Sequence, residues 1–120
     1  MSDRTTAACG ALLAALAVGL GAFGAHALEG RVTPARLDTF ETAVRYLMYH
    51  ALGLLLLSRV TGSSAARILI TAGIAVFSGS LIVLVLTDTG WLGAVTPVGG
   101  VLMIAGWLLA AWRLARGTGS

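Results

Sequence analysis

The chain has 120 residues, of which 58% are hydrophobic and only 11% charged, against about 25% charged in a typical soluble domain. A chain this short has too little interior to hide so much apolar surface from water, so composition excludes a soluble globular domain and points to lipid as the solvent. The net charge of +3 comes from arginines scattered between apolar blocks, which form no basic stripe for nucleic acid.

A helix needs about 20 apolar residues to cross the hydrocarbon core, and four segments qualify. The first is Thr6 to Leu28. Near its end, Ala25-His26-Ala27 resembles a signal-peptidase site, but the apolar run before it exceeds the roughly 7–15 residues of a signal sequence. The start, Asp3 beside Arg4, is barely basic, so the segment reads as a span that is kept. Ala17, Gly21 and Ala25 recur every fourth residue, small side chains that let another helix come close in lipid. Cys9 is the single cysteine; it can form no internal disulfide and reads as a small hydrophobe.

The second span covers Thr39 to Ser58, with Thr33-Pro34 upstream as an N-cap followed by a first-turn proline. Its helix is therefore expected to begin near Pro34, before it enters the membrane. A Thr61-Gly62-Ser63-Ser64 turn leads to the third span, Ala66 to Leu86, with small residues at Ala75, Ser78, Gly79 and Ser80. Asp88-Thr89-Gly90 is another turn. Thr96-Pro97 repeats the cap-then-proline pattern and opens the fourth span, Pro97 to Ala115, which carries Gly106 and Ala110. Trp91 and Trp112 suit interface anchors, and Trp107 is expected to pack between helices.

No period-two alternation supports a barrel, and short connections favour antiparallel neighbours. The expected fold is all-α: one integral membrane domain, an antiparallel bundle of four transmembrane helices over residues 6–28, 39–58, 66–86 and 97–115. Both termini then lie on one side with Arg4, Arg59, Arg67, Arg113 and Arg116, opposite Arg31, Arg36 and Arg45. The Arg-richer side is normally cytoplasmic, which predicts N-in, C-in.

The polar groups concentrate in Leu37 to Ala51. At about 100° per residue, Asp38, Thr39, Glu41, Thr42, Arg45, Tyr46, Tyr49 and His50 fall in one half of the helical wheel. Leu37, Phe40, Ala43, Val44, Leu47, Met48 and Ala51 fill the other. In lipid such a split predicts that the polar half faces protein and the apolar half faces lipid. Glu41 and Arg45 are spaced to pair within the helix, and Tyr46 and His50 to share a hydrogen bond. His26 is placed near the level of Glu41 by antiparallel packing. The candidate binding or polar cluster is therefore His26, Glu41, Arg45, Tyr46, Tyr49 and His50, with the first and second helices facing each other through His26, Tyr46 and His50. Two histidines without a third close ligand make no zinc signature, and no nucleotide loop, nucleophile motif or paired carboxylates are present.

Three stretches carry a resemblance: Gly21–Ala27 (GAFGAHA), Phe40–Gly53 (FETAVRYLMYHALG), and Phe77–Leu81 (FSGSL) leading to Thr96–Gly100 (TPVGG) and Gly106-Trp107. Their order and spacing resemble the transmembrane protein 256 family, also called domain of unknown function 423. The resemblance covers nearly the whole chain and implies a four-helix integral membrane protein of bacteria and eukaryotic organelles, with no settled activity. Its motif positions here are His26, Tyr46, His50, Ser78, Gly79, Ser80, Thr96, Pro97, Gly99 and Gly100, the last seven read as packing positions. Leu47 and Ile82 depart from the Gln and Tyr the pattern leads one to expect.

Together these readings predict a non-enzymatic, multi-pass bundle of a bacterial inner or plasma membrane, needing no cofactor or metal. It is expected to work by binding a larger membrane complex or a lipid-like molecule. The alternative is an oligomeric channel or transporter with the second-helix polar face lining the path. Expected partners are the lipid bilayer, other membrane subunits or further copies of itself, and not nucleic acid.

Overall fold

In a computed structural model that describes residues 1–117, four long helices run antiparallel and no strand forms among the described residues. Helix α1, Asp3–Leu28, is α-helical over Asp3–Gly19 and Ala25–Leu28 and widens to a π-turn over Leu20–Gly24. Helix α2 is Pro34–Val60, α3 is Ser64–Thr87 and α4 is Thr96–Ala115, the last preceded by a 3-10 turn over Gly90–Ala94. Asp3–Leu28, Ser64–Thr87 and Gly90–Ala115 are each long and apolar enough to cross a membrane. Helix α2 is just as long, but Arg36, Asp38, Glu41 and Arg45 occupy its first half. The bundle measures 50 × 26 × 18 Å along its principal axes, a height that suits a bilayer with its interfaces.

Local chemistry sets the helix ends. Ser2, Thr33 and Ser63 each accept a backbone N–H of the first turn, from Thr5, Arg36 and Ala66 respectively, and so satisfy donors that lipid would leave stranded. Pro34 follows Thr33 in the first turn, as its spacing predicts. Thr96 does not repeat this role. The helix begins at Thr96 itself, with no side-chain cap from Val95, and the Thr96 hydroxyl lies 2.6 Å from that of Ser80 on α3. Asp88 ends α3 in the left-handed region, at φ 53°, which a short polar side chain tolerates better than most. Its carboxylate accepts from Arg36 Nε at 3.2 Å, which ties the start of α2 to the end of α3.

Packing runs in sequence, α1 on α2, α2 on α3, α3 on α4. Ala17, Leu47, Ile74 and Met103 bring all four helices together at the centre. Close approach depends on glycines. A methyl at Gly10 would sit 2.7 Å from the Ala51 carbonyl oxygen, and one at Gly106 would sit 2.6 Å from Ile70. At Gly99 it would collide with the Phe77 backbone nitrogen. The small-residue reading holds for Gly99, Gly106 and Ala110, but not throughout. Gly79 has open space where a side chain would go, and Ala75 is exposed. The contact face of α3 runs instead through Ala66, Ile70, Gly73, Ile74 and Ser78.

The wheel of α2 is turned opposite to expectation. Phe40, Ala43, Leu47 and Ala51 are buried, whereas Asp38, Glu41, Arg45, Tyr46 and Tyr49 are exposed. Apolar packing between neighbouring helices takes the apolar half, so the polar half is left outward. Of that half, only His50 is buried, at 7% exposure.

Candidate functional site

His50 stands one turn beyond Tyr46, at the edge of the buried α2 face. Its Nδ1 lies 2.8 Å from the Tyr46 carbonyl oxygen, and Trp107 Nε1 of α4 donates to its Nε2 at 3.0 Å. A carbonyl oxygen can only accept and an indole N–H can only donate. The imidazole is therefore neutral, with its proton on Nδ1 and its lone pair on Nε2. Both ring nitrogens are satisfied, and the ring pins α2 to α4. Gly53 makes room for this contact, since a methyl there would meet the Trp107 ring at 2.8 Å. The expected hydrogen bond between the Tyr46 and His50 side chains is replaced by ring stacking, with centroids 6.3 Å apart.

Around the pair lies an apolar groove of about 410 Å³, lined by Tyr46, His50, Phe77, Met103, Ile104 and Trp107. Tyr46 packs on Phe77 at 5.1 Å and on Tyr49 at 5.6 Å between centroids. On α3, Ser78 donates to the Ala43 carbonyl at 2.7 Å. That bond fixes the height of α3 against α2 and accounts for Ser78 as a packing position.

His26 does not join His50. Its side chain is 86% exposed and lies 3.8 Å from Glu29. It does share the level of Glu41, as antiparallel packing predicts. Both line a groove of about 320 Å³ beside the π-turn, with Gly21, Ala22 and Ala25. Glu41 and Arg45 line an adjoining groove of about 270 Å³ with Gly21, Phe40 and Val44. The expected ion pair between them is not formed: among the described residues Arg36 pairs with Asp88 and Arg67 with Asp3. With His26 and His50 apart, no group of three or more His, Cys, Asp or Glu among the described residues could hold a metal.

Sequence reasoning missed Arg67, counting it only as a flanking charge. It is 1% exposed, donates to the Leu57 carbonyl at 2.9 Å and to the Thr61 carbonyl, and pairs with Asp3 at 2.9 Å. The Leu57 carbonyl also accepts the Thr61 N–H at 3.2 Å, so the guanidinium gives it a second donor and caps the Thr61 carbonyl just past the end of α2, where the helix supplies none. A signal was present: Arg67 stands in the first turns of α3, where the helix dipole disfavours a cation, so it needed acceptors elsewhere.

Residues 20–100 match the family model described as Protein of unknown function (DUF423). The chain belongs to this family. It is 49% identical over 107 residues to a UPF0382 membrane protein of Bacillus subtilis (strain 168), covering 83% of this chain and 87% of the relative. It is 46% identical over 105 residues to one of Staphylococcus haemolyticus (strain JCSC1435), covering 83% and 86%. No solved structure matches. The family resemblance read from the motifs is thus correct, and this is a membrane protein. At one departure from the expected pattern, Leu47 fills the four-helix centre, where a Gln would need hydrogen-bond partners.

Proposed function

We propose that this protein is a non-enzymatic membrane subunit that works by docking another membrane protein against the outward face of α2. One observation carries the reading: α2 buries its apolar half and exposes Asp38, Glu41, Arg45 and Tyr49. On this reading the Arg36–Asp88 pair, at the turn between α3 and the last helix, lies at the water interface. Glu41 and Arg45 lie five and nine residues beyond Arg36 along α2, about 7.5 and 13.5 Å deeper at 1.5 Å per residue. Charged groups at that depth are costly against lipid, and in membrane bundles they face protein or water. On this reading α2 crosses with the other three helices, and both termini are cytoplasmic, in line with the five-to-three Arg asymmetry. A path inside a single bundle has no support, since the four-helix centre is apolar; a channel would have to run between subunits.

The test is site-specific photocrosslinking in native membranes. A photoreactive residue at Tyr49 should give a protein adduct of one defined mass. The same residue at Leu12, 72% exposed on α1, should give lipid adducts. Lipid adducts alone at both positions would refute the reading. Reporter fusions at the N-terminus and after Gly30 check the orientation, and cytoplasmic activity after Gly30 would reverse it.

A further inference from the structure

We infer that the partner on the outward face of α2 is a second copy of this chain, packed about a two-fold axis normal to the membrane. The inference rests on the docking role proposed above and names its occupant. The exposed residues of α2 form one seam, Asp38, Glu41, Arg45, Tyr49, Leu52 and Leu56, at intervals of three or four residues. That is the spacing of a helix–helix seam. It is charged toward one end and apolar toward the other, and it runs nearly the length of the helix.

The charges on this seam are self-complementary. Copies inserted in the same sense bring α2 against α2 in parallel, and a two-fold contact repeats every pairing. In a parallel seam each side chain packs into a hole of four residues on the facing helix, which takes in its own counterpart and positions one turn to either side. Glu41 then meets Arg45 of the partner subunit, and Arg45 meets the partner subunit's Glu41. The Cα–Cβ bonds of a helix tilt toward its N-terminus, which carries the Arg45 guanidinium toward the level of the carboxylate. Glu41 and Arg45 make no ion pair within their own chain. A bond between them within α2 would still leave guanidinium N–H groups facing lipid. Two copies instead bring two acids and two guanidiniums together, where the planar Arg fork can engage more than one acceptor. A polar layer inside an otherwise apolar seam also fixes its register. An unrelated partner would have to supply an acid and a base at matching heights, whereas a second copy supplies both by symmetry.

The full chain in lipid nanodiscs, weighed by native mass spectrometry, tests this. Wild type should appear as a dimer. Glu41→Arg alone and Arg45→Glu alone each place like charges across the seam and should weaken self-association by roughly a hundredfold or more. Coexpressed with different tags, the two variants should pair with each other, because one seam is then wholly basic and the other wholly acidic. That rescue also shows that both variants fold. A monomeric wild type, variants that dimerise as wild type does, or variants that fail to pair when coexpressed would each overturn the inference. The two proposals fail separately. If Tyr49 crosslinks to a different protein while wild type is monomeric, the docking role stands and self-association falls; lipid adducts alone remove both.

Discussion

Replacing Trp107 with Phe removes one indole N–H while keeping an aromatic ring between α2 and α4. His50 Nε2 then loses the donor it holds at 3.0 Å, in a residue only 7% exposed. A net hydrogen bond in a protein contributes about 0.5–1.5 kcal/mol, and interhelical bonds in membranes average about 0.6, with a maximum near 1.7. The expected loss for Trp107→Phe is therefore about 1 kcal/mol. His50→Ala should cost more, about 2–3 kcal/mol, because it also strands the Trp107 N–H and leaves a gap beside Gly53. The decisive quantity is the cycle: in a His50→Ala background, Trp107→Phe should cost nearly nothing, giving a coupling of about 1 kcal/mol. Titration of detergent-solubilised protein with a denaturing detergent, followed by circular dichroism, measures all four species. Nitrogen-15 spectra of the imidazole should show Nδ1 protonated and Nε2 bare. Equal losses from Trp107→Phe in both backgrounds, or a proton on Nε2, would refute the assignment.

Arg67→Met should destabilise the bundle by about 2–3 kcal/mol, because the Thr61 carbonyl loses its donor in a buried site and the Leu57 carbonyl keeps only the Thr61 N–H. Asp3→Asn should cost less than about 1 kcal/mol, since that carboxylate is 74% exposed and its pairing is screened by water; the same unfolding titration separates them. Gly99→Ala should cost about 2 kcal/mol or more, because its methyl would push α4 off the α3 backbone at Phe77 and Gly73. Gly79→Ala should be neutral or stabilising by up to ~1 kcal/mol, since nothing lies within 4 Å of the added carbon and Ala is the better helix former. Equal effects at the two glycines would show that α3 and α4 meet through a different face.

By itself, the sequence determined the solvent, the fold class and most of the helix boundaries. Apolar length sets the number of long helices, and turn chemistry sets their ends, which is why Thr33-Pro34 and the Asp88 turn were legible. These are local properties of the chain. Thr96 was misread because its hydroxyl had a partner on another helix, Ser80, and a cap pattern carries no information about distant acceptors. Gly10 and Gly73 went unnoticed and Gly79 was overrated for a related reason: a small residue permits close approach, but only the neighbouring backbone decides whether it happens.

The tertiary structure alone decided which way α2 faces. A helical wheel divides polar from apolar residues without saying which half meets protein, because in a membrane both lipid and a packed core accept apolar side chains. Here the interior took Phe40, Ala43 and Leu47, with glycines on α1 admitting close contact, and Glu41 and Arg45 were left outside. The same packing separated His26 from His50, since the exposed end of α1 turns its histidine away from α2's buried edge. It also drew Trp107 onto His50 across 57 residues of chain, a pairing that no spacing rule within one helix could reveal. Arg67 was hidden likewise: the carbonyls that hold it belong to the preceding helix, and only the folded chain brings a buried guanidinium to the end of α2.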